Sequence, residues 1–455
     1  MRQLIYNTFS RSYEEFVPAD PRLVKVYVCG PTPYDFSHIG HGRTFAFFDT
    51  AIRWLRESGY TVLYVMNITD IDDKMIKRSA ELGISWEEFK EYMTREFFYD
   101  MELLNVHAVS LYVRATDVIP EIISFVQQLL DKGIAYVTSD GVYLEVSQLS
   151  DYGRLAGVRL EELTHHRIEP SPYKKHPADF ALWKFKKPGE PSWQAPWGEG
   201  RPGWHIECAA MILRYLGGQV DIHGGGADLI FPHHENERAE MLALTGKEIA
   251  RYWMHVAMVK VEGEKMSKSL GNIVPLRQLV KEAGTVAARW YLLSAHYRKP
   301  LDFSWDEVDK YKKLVQRLRA VEQLLSDVDA EIPRKPLPES LQELLEKIYS
   351  ALANDFDTPV ALANFYSLLT EAEKQAENLE NEQKVLLLHH YTRIARVFGF
   401  LLPGAYLERK LLQIIAAVRD QLRERKLYEL SDAIRAELIK LGYRVVDTAK
   451  GSKIY

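Results

Sequence analysis

The sequence is short of cysteine and of long apolar runs, and both shortages narrow what the protein can be. Only two of its 455 residues are cysteines, Cys29 and Cys208, which is too few for a disulfide framework and favours a reducing compartment. No apolar segment approaches the roughly 18 to 20 residues that a membrane-spanning helix needs. The first residues also lack the apolar core of a signal peptide. We therefore expect a cytoplasmic protein with no membrane association.

A strong excess of positive charge is also missing. The chain carries 58 Lys and Arg against 63 Asp and Glu, which is not the balance of a nonspecific nucleic-acid binder. Residues 405–455, however, hold eleven basic and seven acidic side chains. A basic end on an acidic body is compatible with an RNA contact confined to that end, and equally with ordinary surface helices.

The N-terminal region has the pattern of a βαβ unit. Residues 23–28 and 61–66 are predicted strands, and residues 44–58 between them are a predicted helix that ends near Gly59. The usual crossover makes the two strands parallel, and open parallel sheets bind ligands at the carboxyl ends of their strands. One cleft is therefore expected to collect the polar residues that follow these strands, which are Cys29, His38, Asn67 and Thr69. A further helix is predicted over 86–104, with Ser85 as its N-cap and Glu88 completing a capping box.

The whole chain is predicted to be an α/β protein. A Rossmann-like, doubly wound parallel sheet forms a catalytic domain that is split by an insertion, and a helical bundle and a small C-terminal helical domain follow. The predicted segments are the first catalytic half (1–135), a connective insertion (136–197), the second catalytic half (198–250), a loop and stem-contact region (251–310), the helical bundle (311–400) and the C-terminal domain (401–455).

Two short motifs point to phosphate chemistry. His38-Ile39-Gly40-His41 lies where a strand gives way to a helix, whose N-terminus favours anions. Lys265-Met266-Ser267-Lys268-Ser269 lies in a loop of small and charged residues. Imidazole donors and ammonium groups suit a polyphosphate whose charge grows in the transition state. Taken singly, the first motif occurs by chance in many proteins, and the second fits a solvated basic loop.

The sequence also contains a set of residues whose side chains suit a metal site. His233 and Glu237 are four residues apart and therefore share one face of a helix. With Cys29 and Cys208 they make two thiolates, one imidazole and one carboxylate, which suit tetrahedral zinc. On these residues alone, a surface His–Glu pair and two inert buried thiols are the simpler interpretation.

Together the two phosphate motifs resemble those of class I aminoacyl-tRNA synthetases. Four further stretches resemble the cysteinyl-tRNA synthetase family, at residues 27–32, 67–74, 203–208 and 231–237. The resemblance runs from about residue 4 to residue 451. It implies a cytoplasmic, monomeric enzyme that ligates L-cysteine to the 3′ end of tRNA(Cys) through cysteinyl-adenylate, with Mg²⁺ accompanying ATP.

The resemblance also implies roles for individual residues. The catalytic residues would be His38, His41, Lys265 and Lys268, and ATP would be bound by these four and Ser267. The amino acid would be held by Thr69, Trp204 and Asp228, with Trp204 walling the pocket and Asp228 pairing with the ammonium group. One zinc ion per chain would be held by Cys29, Cys208, His233 and Glu237 and would select the substrate thiol. Three further histidines, His205, His223 and His234, are expected to lie nearby and to orient these ligands.

The anticodon readers implied by the resemblance lie near the C-terminus, at Arg423, Tyr428, Asp432 and Asp447. Tyr428 replaces the family's usual tryptophan, and residues 451–455 lack the family's aromatic and basic ending. Residues 423–435, which include the first three of these positions, fit the pattern of a solvated amphipathic helix equally well.

Two other functions stay open. A cysteine ligase of the mycothiol pathway shares the adenylation chemistry but uses an aminoglycoside acceptor, and the basic C-terminal region argues against it. A degenerate, non-catalytic RNA-binding relative is the other, and the intact phosphate motifs and ligand set argue against that.

Overall fold

The computed structural model describes residues 2–159, 171–266, 270–325, 333–401, 405–440, 443, 445–448 and 451–454. The strands are β1 (Leu4–Asn7), β2 (Ser12–Glu15), β3 (Val24–Val28), β4 (Val62–Ile68), β5 (Leu111–Arg114), β6 (Ala135–Val137), β7 (Gly141–Leu144), β8 (Phe180–Phe185), β9 (Gly200–Pro202), β10 (Val220–Gly226), β11 (Ala250–Val256), β12 (Val259–Val261), β13 (Glu264–Lys265), β14 (Leu301–Phe303), β15 (Val445–Thr448) and β16 (Gly451–Ile454). The helices are α1 (Ile39–Glu57), α2 (Asp73–Leu82), α3 (Trp86–Leu103), α4 (Ile119–Asp131), α5 (Trp204–Leu216), α6 (Glu235–Thr245), α7 (Leu276–Ala283), α8 (Thr285–Leu292), α9 (Trp305–Leu324), α10 (Glu339–Ala353), α11 (Thr358–Gln375), α12 (Asn381–Val397), α13 (Ala405–Glu424) and α14 (Tyr428–Lys440). Within this described part of the chain, no helix is both long and apolar enough to cross a membrane.

A five-stranded parallel sheet forms the centre of the first half, in the order β11-β10-β3-β4-β5. Its inner strands are short apolar runs that are buried on both faces, as helices on both sides of a parallel sheet require. The predicted α/β class and the parallel pairing of the first two strands are confirmed. The chain order reverses between β3 and β10, so a ligand crevice is expected at their carboxyl ends.

Two predicted boundaries are wrong in a way that bears on function. Helix α1 begins at Ile39, not at residue 44, because the His38 side chain caps it. Strand β4 continues to Ile68, so Asn67 lies inside the strand and not after it. The helix predicted over 86–104 is confirmed as α3, with both halves of the Ser85–Glu88 capping box formed.

Along the chain, an antiparallel sheet in the order β6-β7-β8-β9 lies between the first three strands of the parallel sheet and its last two. Its inner face packs on the same apolar core as α4 and α5. The chain then returns to the parallel sheet through α5, which carries Cys208. The residue limits predicted for the separate domains stay a prediction.

The second half is helical. Helices α10 and α11 pack closely through Leu341, Leu345 and Phe365, which are buried in the larger apolar core. Helices α13 and α14 and the β15–β16 hairpin form a small unit with its own apolar cluster of Leu438, Val445 and Ile454.

A buried ion pair ties α1 to this helical half. The side chains of Asp49 and Arg289 are fully buried, and Arg289 Nη2 lies 2.8 Å from Asp49 Oδ2. Arg289 Nε also donates to the Phe398 carbonyl at 2.6 Å, just beyond α12. Burial opposes ionisation of Asp49, but Arg289 and Arg53 hold the pKa of that carboxyl below its ordinary value. Removing one partner would leave a buried charge, which costs about 3–5 kcal/mol.

Candidate functional site

The first phosphate motif forms the N-terminus of α1. His38 Nδ1 accepts from the backbone N–H groups of Gly40 at 3.1 Å and His41 at 3.3 Å, and His41 Nδ1 accepts from the His38 N–H at 3.4 Å. The two imidazole rings stack with centroids 3.8 Å apart. A Cβ on Gly40 would lie 2.9 Å from His38 Cε1, so only glycine lets the ring fold over the helix end. The first turn contains no acidic residue, which keeps the helix end suited to an anion.

The proton positions of these two rings follow from their contacts. Because each ring accepts at Nδ1, its neutral form carries the hydrogen on Nε2, where it is a donor. Burial and the neighbouring His38 lower the pKa of His41 to about 3. His41 is therefore a neutral hydrogen-bond donor over the physiological pH range.

The chain around the second phosphate motif lies against the first. Ile39 N–H donates to the Val274 carbonyl at 3.1 Å, and Leu276 N–H donates to the Ser37 carbonyl at 2.9 Å. Met266, inside the motif, comes within 3.4 Å of the position a Cβ on Gly40 would take. The predicted Lys265 begins the motif at the end of β13, whereas Ser267 and Lys268 lie outside the described residues.

Sequence reasoning missed a residue that joins these two motifs. Arg43, on the second turn of α1, is only 1% exposed and has no carboxylate partner among the residues that the structure describes. It donates to four backbone carbonyls, those of Ala257 (2.9 Å), Met258 (3.2 Å), His296 (3.1 Å) and Lys299 (2.5 Å). The first two lie between β11 and β12 and the last two precede β14, so Arg43 fixes the sheet that leads into the second motif. A buried arginine in a helix has no sequence pattern that would reveal such a role.

The four predicted metal ligands converge in the crevice. Cys29 follows β3, Cys208 lies on α5, His233 lies in the irregular turn Ile230–His234, and Glu237 lies on α6. The two Sγ atoms are 4.0 Å apart, and Cys29 Sγ is 3.3 Å from Glu237 Oε1. His233 Nε2 is 3.5 Å from Cys208 Sγ and 2.9 Å from Glu237 Oε1. All four side chains are buried, and their donor atoms lie within 4.8 Å of one another.

The chemistry and spacing of this cluster fit zinc. Tetrahedral zinc with its usual bond lengths separates neighbouring donor atoms by roughly 3.3 to 3.8 Å, close to the separations found here. Burial opposes ionisation throughout, yet Glu237 and Cys208 raise the pKa of His233 to about 10. The contacts with Cys29 and His233 lower the pKa of Cys208 to about 6, and His223 and His233 hold that of Glu237 well below its ordinary value. Such a set of buried donors is stabilised when a cation joins it.

Histidines surround the four donors as the sequence predicted. His205 Nδ1 lies 2.8 Å from His233 Nδ1, and His223 Nε2 lies 2.7 Å from Glu237 Oε2. His234 Nε2 lies 3.3 Å from Cys29 Sγ. A second combination, of Cys29, His223, His234 and Glu237, is equally compact, so the structure offers two overlapping donor sets.

One more histidine, not predicted from the sequence, belongs to this network. His255, near the end of β11, places its Nε2 atom 2.8 Å from His234 Nδ1 and its Nδ1 atom 2.9 Å from Thr8 Oγ1. Nothing in the sequence around His255 marks it as a partner of His234, because the β10–β11 pairing that brings β11 to this edge is a tertiary feature. The chain of contacts from Cys29 to Thr8 is buried except at Thr8.

Among the three residues predicted to hold the amino acid, Trp204 contacts the donor cluster directly. The Trp204 ring is 37% exposed and stacks on His233, with centroids 4.3 Å apart. Thr69 is buried, and its Oγ1 accepts from Asn67 Nδ2 at 3.1 Å. Asp228 is exposed just beyond β10, and its carboxylate folds back toward Gly226.

The predicted anticodon readers fall into two groups. Tyr428 and Asp432 are exposed, four residues apart on α14. The Asp447 carboxylate is engaged by Arg419 at 3.1 Å, Arg423 at 3.2 Å and Arg435 at 3.5 Å. Burial opposes it, but hydrogen bonds from Arg419 and Ser452 hold the pKa of Asp447 below its ordinary value. Arg423 and Asp447 thus have structural partners already, and their RNA contacts stay a prediction.

Comparisons with family models and with individual proteins point to the same family. Residues 15–313 match the family model described as tRNA synthetases class I (C) catalytic domain, and residues 347–402 match the DALR domain. The chain is 45% identical to the cysteine--tRNA ligase of Saccharolobus solfataricus, covering 98% of this chain and 97% of that protein. It is 46% identical to the cysteine--tRNA ligase of Staphylothermus marinus, with 98% and 97% covered.

Solved structures share the fold at low identity. The methionyl-tRNA synthetase of Mycobacterium tuberculosis in complex with methionyl-adenylate is 16% identical, with a TM-score of 0.60 over 84% of this chain and 91% of that one. The agnB2 LeuRS of Agrobacterium radiobacter K84, in a ternary complex with tRNA and LeuAMS, is 13% identical, with a TM-score of 0.63 over 84% and 85%. At these identities the likeness concerns the fold alone.

Proposed function

The chain belongs to the cysteine--tRNA ligase family of class I tRNA synthetases, and we propose that it joins L-cysteine to the 3′ end of tRNA(Cys) through cysteinyl-adenylate. The observation that carries this proposal is that one loop holds both a member of the buried donor cluster and the histidine that caps α1. Cys29 belongs to the buried donor cluster, and His38 on the same loop caps α1. A substrate that spans the crevice would meet both.

In the first step, a carboxylate oxygen of cysteine attacks the α-phosphorus of ATP. A P–O bond forms, the bond to the β-phosphate oxygen breaks, and pyrophosphate leaves with the electron pair. The N-terminus of α1 and the Nε2 donors of His38 and His41 would bind phosphate oxygens. Lys265, Ser267 and Lys268 would neutralise the charge that grows on pyrophosphate, and Mg²⁺ would accompany ATP.

In the second step, a ribose hydroxyl of the terminal adenosine attacks the carbonyl carbon of the adenylate. The ester bond forms, AMP leaves, and the hydroxyl proton passes to solvent. Arg423, Tyr428, Asp432 and Asp447 would contact the anticodon loop from the C-terminal unit, since proteins read unpaired bases by stacking and base-edge hydrogen bonds.

Selection of cysteine would rest on the buried donor cluster. Zinc would be held by Cys29, Cys208, His233 and Glu237. When bound, it would bind the thiolate of cysteine much more strongly than the hydroxyl of serine. Thr69 and Trp204 would shape the pocket, and Asp228 would pair with the substrate ammonium group. A pocket that sorts by shape alone separates such small side chains only about 10- to 200-fold.

Two assays test the proposed function. The purified protein should catalyse ATP–pyrophosphate exchange that depends on cysteine and not on serine, and it should charge a tRNA(Cys) transcript. Exchange without charging, together with transfer of cysteine to an aminoglycoside, would favour the small-acceptor ligase. No exchange with either amino acid would leave only an RNA-binding function.

A further inference from the structure

Three side chains form an exposed surface beside the N-terminus of α1, and we call it the aromatic platform. It consists of Phe36, Arg277 and Tyr99, from the loop before α1, from α7 and from α3. The Phe36 ring is 42% exposed and the Tyr99 ring is 54% exposed. The guanidinium carbon of Arg277 lies 4.6 Å from the Phe36 centroid and 4.9 Å from the Tyr99 centroid.

The platform is held in a fixed position relative to the reaction site. Arg277 Nε lies 2.5 Å from Asp100 Oδ1, and its Nη2 lies 2.6 Å from Glu96 Oε2. The fully buried Asp100 also accepts from the Ser37 N–H at 3.0 Å. Ser37 directly precedes His38, so one carboxylate anchors both the platform and the helix cap.

The chemistry of the platform suits nucleobases. Aromatic rings and arginine guanidinium groups are the surfaces on which unpaired bases stack. The carboxylates of Glu96 and Asp100 offset the charge of Arg277, so the platform offers stacking faces more than phosphate attraction. Phe36 and Tyr99 leave about half of their surface exposed in the free protein, and a stacked base would cover more of it.

The exposure of the rings favours a macromolecular ligand over ATP. A small ligand in its pocket is covered over roughly 70–90% of its surface, whereas these rings face solvent at the rim. The platform lies directly beside the residues that precede His38, so a nucleic-acid strand that ends at His38 has this surface within reach. In charging, the 3′ end of tRNA is such a strand, because its terminal adenosine accepts the cysteinyl group.

We propose that the aromatic platform stacks the unpaired nucleotides at the 3′ end of tRNA as they enter the site. The proposal rests on the proposed function, because it gives the acceptor strand its contact on this chain. Phe36 and Tyr99 bind the strand, and Arg277 is a positioning residue that keeps both rings in place.

The test compares Phe36→Leu and Tyr99→Leu with the wild-type protein. Both keep an apolar side chain but remove the ring, and neither touches the contacts of Asp100. A stacked base contributes about 1–3 kcal/mol, so each variant should bind tRNA(Cys) roughly 5- to 150-fold more weakly, with cysteine-dependent pyrophosphate exchange unchanged. Phe36→Tyr keeps the ring and should restore wild-type binding.

A matched control lies on the β1–β2 hairpin. Tyr13 is 56% exposed, and the Arg298 guanidinium carbon lies 5.1 Å from its centroid. Tyr13→Leu therefore removes a similar ring–arginine pair away from the helix cap, and it should leave tRNA binding unchanged.

Binding of tRNA that lacks its unpaired 3′ nucleotides completes the experiment. With this shortened RNA, Phe36→Leu and wild type should bind equally, because the stacked bases are gone. An equal loss with both RNAs, no loss with either, or a rise in KM for ATP in the exchange assay would overturn the proposal. Because direct binding is measured, failure of the platform is distinguishable from failure of catalysis in the wild-type protein.

Discussion

At the scale of single residues, the donor cluster makes the sharpest prediction. Purified without added metal, the protein should contain about one zinc per chain, because two thiols, an imidazole and a carboxylate converge there. Cys208→Ser replaces a strong ligand with a weak one and should lower the zinc content to well below one. Elemental analysis measures both.

The exposed His107 provides the control, since it lies outside the cluster. His107→Gln should retain the zinc content of the wild-type protein. A wild-type content near zero, or an unchanged content in Cys208→Ser, would contradict the metal site.

His41 makes a second prediction at the residue scale. Its folded pKa of about 3 lies below the ordinary value of 6.5, so below pH 6.5 the unfolded chain binds a proton that the folded chain does not. The stability lost through His41 therefore grows as the pH falls from about 6.5 to 3. In His41→Gln, the free energy of unfolding should fall less steeply over this range, which urea unfolding at several pH values measures. Identical slopes in both proteins would contradict the assignment.

At the scale of elements, Arg43 couples α1 to the sheet that precedes the second phosphate motif. Lysine has one ammonium group and cannot reach all four carbonyls, and each hydrogen bond lost from a charged donor costs about 1.5–3 kcal/mol. Arg43→Lys should lower the free energy of unfolding by about 2–4 kcal/mol. It should also lower kcat for pyrophosphate exchange with little change in KM for cysteine, because the two motifs would lose their relative position.

Arg53 is the matched control, since it also lies on α1 but makes none of the Arg43 contacts. It pairs with Asp49 of the same helix at 2.7 Å and donates to the Arg396 carbonyl of α12 at 3.2 Å. Arg53→Lys should reduce stability without changing kcat per folded molecule. Equal effects on kcat in both variants would show that general loosening of α1, and not the Arg43 contacts, limits the reaction.

At the scale of the whole molecule, the structure separates two tasks. In the sequence, the donor cluster and the described residues that are predicted to bind phosphate lie between Cys29 and Lys265. The unit of α13, α14 and the β15–β16 hairpin has its own apolar cluster. Removing residues 406–455 should therefore leave pyrophosphate exchange mostly intact and strongly reduce charging of tRNA. The salt dependence of tRNA binding should also become weaker, because phosphate contacts are lost.

Thermal unfolding of the truncated protein provides the control for this experiment. A folded truncation that charges tRNA at the full rate would contradict the anticodon role of the C-terminal unit. A parallel fall in exchange and charging, with a lowered Tm, would show that the unit mainly stabilises the fold.

The sequence by itself determined the local structure and the chemistry of the site. The alternation of strand-like and helix-like segments predicted the βαβ unit. The Ser85–Glu88 pair set the start of α3, because capping depends on neighbours within one turn. Through the family resemblance, the motifs also predicted the four donors that the fold brings together. These features depend on residues that are near one another in the chain.

Only the tertiary structure decided how distant residues meet. The position of β10 beside β3 brings Cys208 within 4.0 Å of Cys29, although 179 residues separate them. The early start of α1 was missed because an imidazole is an uncommon cap. Arg43, His255 and the aromatic platform had no sequence signal. Arg43 binds backbone carbonyls 214 to 256 residues away, and His255 contacts Thr8 247 residues away. The platform joins side chains of three separate elements, so only packing brings these groups together.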